Sequence, residues 1–282
     1  MKLGLILEGG ASRAYYTSGI LDALLEEEII ADYVIGTSAG IANGVSYVSR
    51  QVGRNLCIAK DYLHDKRYMG FKHMLNPFNR SFYNLKFAFD DVPNRHLPFD
   101  YEAFKSFTGN VVAAVTNLDT GKAEYLEMPR DDKKFQLLRA TCALPLLFPV
   151  IKIDGKPYMD GGICAPIPAS AAINAGCDKN IVILTRERGY QKQPEKALQM
   201  SARKYKKYPN FADALLKRTE TYNENLAQIS NLEKEGKVFV IAPESMNMKR
   251  LETDPEKLEQ LHIQGYNQFK NTLPALLSYL ND

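Results

Sequence analysis

Tryptophan is absent from this chain of 282 residues, and cysteine and histidine occur four times each. Cys57, Cys142, Cys164 and Cys177 form no C-x-x-C pair and match no zinc-module spacing. A disulfide scaffold and a zinc fold are therefore excluded, and reduced, buried thiols are expected. No apolar run approaches 18 residues, so no segment reads as a membrane span. The first apolar stretch, Leu3-Gly4-Leu5-Ile6-Leu7, is cut off after five residues by Glu8 and is too short for the core of a secretory leader. Charge of one sign is also lacking: 36 Lys and Arg against 33 Asp and Glu leave +3. That balance implies no obligate acidic partner, and the basic residues follow no nucleic-acid module. Internal repeats, low-complexity tracts and a clear linker are missing too. A single domain over residues 1–282 is expected, and with 45% hydrophobic residues the chain can bury a large core.

What is present begins as β-α-β-α. Residues 3–7 read as a buried strand, Gly9-Gly10 as a turn, 15–28 as a helix with Ile20, Leu21, Leu24 and Leu25 on one face, and 33–35 as the next strand. This alternation implies a mostly parallel sheet with helices on both faces. Ligands of such sheets bind at the carboxyl ends of strands, where Gly9-Gly10 and Ser38 both fall. Further strands are expected at 111–116, 123–128, 150–153, 157–159, 181–184 and 238–241. Helices are expected at 54–63, 131–141 and 168–175, and through most of the last hundred residues.

Ser38 stands at the centre of Gly36-Thr37-Ser38-Ala39-Gly40, after the apolar run 33–35 and before the helical pattern of 41–48. A G-x-S-x-G string arises by chance in about one chain in twenty of this composition, so its position between strand and helix carries the weight. That position is a nucleophile elbow: glycines permit a turn too sharp for neighbouring side chains, and the hydroxyl is presented at its apex. A serine hydroxyl needs a base. Of His64, His73, His96 and His262, only His262 follows the elbow late enough for a histidine triad, and it sits within a helical pattern. Asp160, ending a strand and followed by Gly161-Gly162, is the other candidate. The same three residues also read as a plain turn. An ordinary Asp is a weak base, so Asp160 needs burial or a hydrogen bond from the serine itself. Glu8-Gly9-Gly10-Ala11-Ser12-Arg13 is a glycine-rich turn before a helix, whose free N–H groups suit a phosphate or an oxyanion. It lacks the G-x-G-x-x-G of a dinucleotide site.

These three elements, in this order, resemble the patatin-like phospholipase family, over residues 1 to about 185. Gly9-Gly10-Ala11-Ser12-Arg13-Ala14, with Gly19 beyond it, lies where the family has its G-G-G-x-R-G loop. Gly36 to Gly40 is the elbow and Asp160-Gly161-Gly162 the D-G-[AG] element. Thr116 to Gly121, Ala143-Leu144-Pro145 with Phe148-Pro149, and Pro166-Ile167-Pro168 add to the likeness. The resemblance implies a three-layer α/β/α sandwich and a Ser–Asp dyad without histidine. Ser38 would attack a lipid ester carbonyl, Asp160 would take its proton, and the N–H groups of Gly10, Ala11 and Ser12 would hold the oxyanion, with Gly9 and Ala39 beside them. Arg13 would brace the loop or lie near a phosphate head group. No metal or cofactor is implied. A catalytic core of about 1–185 and a helix-rich extension of about 186–282 follow from it.

Two positions depart from the family pattern. Ala11 replaces its third glycine and Ala14 the glycine after arginine, and a positive φ at Ala11 would strain the loop by roughly 1–2 kcal/mol. A catalytically weak protein that binds lipid or a protein partner is therefore the alternative to a serine acyl hydrolase. Residues 66–89 are aromatic and basic, with no acid until Asp90. They read as an irregular packed insertion, or as a lid or surface that meets anionic lipid. The expected setting is cytoplasmic, with peripheral contact at the inner membrane face as the further option.

Overall fold

A computed structural model describes residues 1–194 and 198–281; residues 195–197 and 282, part of the expected C-terminal extension, lie outside the described residues. The chain begins with β1 (Leu3–Leu7), a 3₁₀ turn (Ala11–Ala14), α1 (Tyr15–Glu26), β2 (Tyr33–Thr37) and α2 (Ala39–Val48). Then come α3 (Arg54–Asp61), a 3₁₀ turn (Phe71–Leu75), a π-helical stretch (Phe87–His96) and α4 (Tyr101–Ser106). β3 (Asn110–Asn117), β4 (Ala123–Glu127), α5 (Gln136–Thr141), β5 (Ile151–Ile153) and β6 (Lys156–Asp160) follow. The chain continues through α6 (Ala169–Asn174), β7 (Lys179–Ile183), α7 (Leu198–Lys204), α8 (Pro209–Lys234), β8 (Phe239–Ile241) and α9 (Pro255–Asn281).

The strands form one sheet in the order β5-β6-β3-β2-β1-β7-β8, with β4 also paired to β3. β3, β2, β1, β7 and β8 run parallel, and the β3–β4, β3–β6 and β5–β6 pairs are antiparallel. The result is a mixed, mostly parallel sheet between helical layers, as the alternating pattern implied. β1 lies at its centre with all five residues buried, because helices cover both faces of such a strand. Alternation splits its side chains. Leu3, Leu5 and Leu7 join the apolar layer of α1, α2 and α9. Ile6 joins the opposite layer, with Ala172 of α6 and Ile229 of α8.

The C-terminal helix α9 closes over α1 through a glycine contact. A Cβ on Gly19 would meet the His262 carbonyl oxygen at 1.9 Å, and one on Gly265 the Tyr16 carbonyl oxygen at 2.0 Å. Gly19, one helical stretch beyond the glycine-rich loop, thus serves the crossing of α1 and α9.

Two expectations are corrected. The helix expected over 131–141 starts only at Gln136. Asp132 accepts hydrogen bonds from the Lys134 and Gln136 N–H groups, and Phe135 takes φ +49°, so a turn occupies the first half. The thiols are unpaired, but only Cys177 is buried: Cys57 is exposed, and Cys142 and Cys164 are half-buried.

Candidate active site

Three strand ends build the site. β1 runs into Gly9-Gly10, β2 into Ser38, and β6 ends on Asp160. β1 and β2 are parallel neighbours, with Leu7 opposite Gly36, which sets the glycine loop beside the serine turn. Asp160 reaches the same place through the antiparallel β3–β6 pairing, in register with Val115, and Thr116 fixes its main chain by donating to its carbonyl at 2.9 Å.

Ser38 has φ +52° and ψ −129°, a strained conformation for a residue with a side chain. The packing around it enforces the turn. A Cβ on Gly40 would lie 2.6 Å from the Glu8 carbonyl oxygen. Thr37 donates to the Ala165 carbonyl at 2.7 Å. Thr141 accepts the Ser38 N–H at 2.9 Å and donates to the Ala114 carbonyl at 2.6 Å. At the apex, the Ser38 hydroxyl donates to Asp160 Oδ2 at 2.8 Å, while Asp160 Oδ1 accepts the Gly162 N–H at 2.7 Å. Burial pushes the Asp160 carboxyl above its ordinary range. Arg250, the Gly162 N–H, the Ser38 hydroxyl and Arg218 pull it back. A carboxyl held up in this way is a better base than an exposed aspartate. The Cys142 thiol next to the serine is held protonated by burial.

In the glycine-rich loop, Ser12 is corrected as an oxyanion donor. Its N–H donates to the Arg250 carbonyl at 3.1 Å and its hydroxyl to the Glu252 carbonyl at 2.8 Å. The Gly9 N–H is directed at the Pro166 carbonyl, 3.4 Å away. Gly10 and Ala11 remain: among the described residues neither N–H has an acceptor. Ala11 has φ +49°, the left-handed conformation that a glycine would take without strain. Behind the loop Glu8 is buried, accepting from the Tyr222 hydroxyl at 2.6 Å and from the Thr185 N–H.

Ser38 separates two unlike spaces. On one side is a polar cleft of about 200 Å³ that includes Gly9, Gly10, Ala11, Arg13, Asp160 and Gly162. It also takes in Arg186, Lys192, Arg218 and Arg250, none of which the sequence had marked. On the other is an apolar cavity of about 130 Å³ between Tyr15, Ala39, Ile58, Leu63, Leu144 and Phe148. Ala39 therefore faces the apolar side. Tyr68, Tyr83 and Phe89 complete this cavity, so residues 66–89 roof it, Tyr68 packing edge-on against Tyr83. The outer part of this segment leaves Phe71, Leu75 and Phe78 at 74%, 87% and 98% exposure. Arg67 is paired with Asp65 and Lys86 with Asp91.

His262 does not approach Ser38. It lies at the α1–α9 contact, with Nδ1 2.9 Å from the Ser18 hydroxyl and Nε2 3.5 Å from Asp22. Among the described residues, no histidine lines either space beside Ser38. Thr141 and the four added cations gave no local signal, because isolated Thr and Arg residues read as ordinary core or surface.

The site is thus a strained serine in a sharp turn between a parallel strand and a helix of an α/β sheet, hydrogen-bonded to a strand-end carboxylate. Residues 5–173 match the family described as patatin-like phospholipase, and the chain belongs to that family. At family level this is a lipid acyl hydrolase scaffold. Residues 208–281 match a domain of unknown function, DUF6363. The chain is similar to the uncharacterized protein YjjU of Escherichia coli (strain K12), 23% identical over 198 residues. That match takes in 65% of this chain and 52% of YjjU, so the chain spans about half of that relative. It is also similar to a patatin-like phospholipase domain-containing protein of Pyricularia oryzae, 51% identical over 39 residues, which are 14% of this chain and 5% of that one. Among solved structures, VipD from Legionella pneumophila aligns with TM-score 0.49 at 15% identity, over 97% of this chain and 67% of that one. No described helix is long and apolar enough to cross a membrane.

Proposed function

We propose that this chain is a serine acyl hydrolase that cleaves the carboxylic ester of a phospholipid or lysophospholipid through an acyl-enzyme on Ser38. The observation that carries the reading is the 2.8 Å hydrogen bond from the Ser38 hydroxyl to the buried Asp160, at the seam of a polar cleft and an apolar cavity. With the acyl chain in the cavity, Ser38 Oγ attacks the ester carbonyl carbon and its proton passes to Asp160. The Gly10 and Ala11 N–H groups hold the oxyanion, worth about 3 kcal/mol per donor in comparable hydrolases. Collapse of the adduct expels the alkoxide, which takes the proton back from Asp160. Water then gives a proton to Asp160 as it attacks the acyl ester, and Ser38 Oγ leaves, taking that proton back from Asp160, which frees the fatty acid and restores the pair.

Delivery of such a substrate requires an interface. Phe71, Leu75 and Phe78, with exposed Lys66, Lys72 and Arg80 around them, suit the surface of an anionic bilayer. The four unpaired cysteines support a reducing, cytoplasmic setting for that contact.

The test is fluorophosphonate labelling and p-nitrophenyl ester turnover by wild type, Ser38→Ala and Asp160→Ala. Loss of both signals in both variants is expected. A folded wild type that neither labels nor turns over overturns the reading. It favours instead a binding protein whose glycine loop is distorted at Ala11, the residue held at φ +49°. For the membrane contact, reversing the charge of Lys72 and Arg80 is expected to weaken binding to phosphatidylglycerol vesicles; unchanged binding leaves 66–89 as a packed roof alone.

A further inference from the structure

The cavity beside Ser38 is not apolar throughout. Three phenols line it: Tyr15 from α1, 9% exposed, and Tyr68 and Tyr83 from the roof. Among the described residues, none of their hydroxyls has a hydrogen-bond partner. None is fully sealed by its neighbours either, so all three open on the space they line. Other tyrosines in the interior are partnered: Tyr16 donates to Gln268, Tyr47 to the Ile29 carbonyl and Tyr158 to Glu124. The three phenols also lie together. The rings of Tyr68 and Tyr83 meet edge-on at 5.7 Å. Burial raises all three hydroxyls, and after burial Tyr68 and Tyr83 raise Tyr15, and Tyr68 raises Tyr83. Cys142, the thiol next to the serine, acts on both roof phenols. Asn43 lines the same space and donates its side-chain N–H to the Ala14 carbonyl at 2.7 Å, which leaves its Oδ1 as a further acceptor. A plain hydrocarbon chain entering this cavity takes water from these groups and returns no hydrogen bond, at about 1–3 kcal/mol for each polar group left unpaired.

We infer that the cavity selects an acyl chain carrying a hydroxyl group, so that the substrate class is a hydroxyacyl ester rather than a plain fatty acyl ester. The inference rests on the hydrolase reading for its position: the ester lies at Ser38 and the acyl chain runs between Tyr15 and the roof. A chain hydroxyl accepts a hydrogen bond from one phenol and donates to another or to Asn43 Oδ1. A site built to hydrogen-bond a substrate hydroxyl rejects the analogue that lacks it far more strongly than an apolar pocket rejects one methylene. Tyr68 and Tyr83 are then specificity residues, and the segment 66–89 contributes to the choice of chain as well as covering it.

The experiment compares p-nitrophenyl decanoate with its 3-hydroxy, 6-hydroxy and 10-hydroxy forms, all as monomers so that membrane binding plays no part. Wild type is expected to favour one of the hydroxy esters over decanoate by at least about tenfold in kcat/KM. Tyr68→Phe and Tyr83→Phe should each lower that preference severalfold. They should slow the hydroxy ester and speed decanoate, opposite changes that a loss of structure does not produce; thermal melts establish that the variants fold. Decanoate turned over as fast as every hydroxy ester overturns the inference while leaving the hydrolase reading intact. Variants that slow both kinds of ester equally also overturn it. Should no ester be turned over, the hydrolase reading fails and binding decides. The methyl esters of the same acids are then titrated into Ser38→Ala, where one hydroxy ester should bind at least about tenfold tighter than methyl decanoate. Equal affinities overturn the inference.

Discussion

The Tyr222 hydroxyl donates to Glu8 Oε1 at 2.6 Å, across 214 residues of sequence, and both side chains are buried. Glu8 is the last residue before the glycine loop and Tyr222 lies in the middle of α8. The bond therefore ties the C-terminal region to the loop that presents the Gly10 and Ala11 N–H groups. Burial raises the Glu8 carboxyl, and the Tyr222 and Thr185 hydrogen bonds oppose that rise. Tyr222→Phe removes one of its two partners and is expected to destabilise the fold by about 1–3 kcal/mol, with a fall in ester turnover. Denaturant unfolding and p-nitrophenyl ester rates measure both; an unchanged midpoint would leave the contact without energetic weight.

On the proposed mechanism, the pH profile of turnover follows from Asp160. Its carboxyl is raised by burial and lowered by Arg250 and then by other groups, including Arg218. Only the ionised form can accept the Ser38 proton, so kcat/KM should fall on the acid side. Arg250→Gln removes a cation that favours the carboxylate, so the acid limb should move to higher pH. An acid limb in the same place would mean that Asp160 is not the titrating base.

On the proposed function, Ala11 decides between an efficient and a weak enzyme. Ala11→Gly relieves about 1–2 kcal/mol of left-handed strain, and the freedom gained by the unfolded chain offsets roughly 0.5–1 kcal/mol of it. Stability is expected to rise by about 1.5 kcal/mol at most. If the loop already aims its donors correctly, turnover stays within about threefold of wild type, a barrier change of under 1 kcal/mol. A rise beyond about tenfold would show that alanine had displaced the oxyanion site.

Asp22, at the α1–α9 contact, has its carboxyl raised from 3.8 to about 6, chiefly by burial. The fold therefore favours its protonated form. That stability is fully present below 3.8 and is lost as pH rises through about 6. Asn resembles the protonated acid at every pH. Asp22→Asn should thus be more stable than wild type at pH 8, by about 1–3 kcal/mol, and match it near pH 4. His262 is shifted the opposite way, downwards by burial, so the comparison is made with wild type at each pH. A stability difference that does not vary with pH would contradict the assignment.

The β1–α1–β2 frame and the elbow were legible because each is a local pattern: an apolar run, a helical face, a pair of glycines around a serine. The half-helix at 131–141 was not, because Asp132 captures the N–H groups that a helix would start from. Thr141 was equally hidden: its role depends on the Ser38 N–H reaching it from 103 positions away.

By itself the sequence determined the strand and helix periods, the sharp turn at Gly36 to Gly40, and the supply of backbone donors after Glu8, since these depend on neighbours along the chain. Only the tertiary structure decided that Asp160 meets Ser38, through the β3–β6 register, and that His262 packs elsewhere. It also committed the Ser12 N–H to Arg250, and brought four cations from beyond β7 to the serine. Contacts of that kind depend on sheet order and helix packing, which bring together residues that carry no local mark of one another.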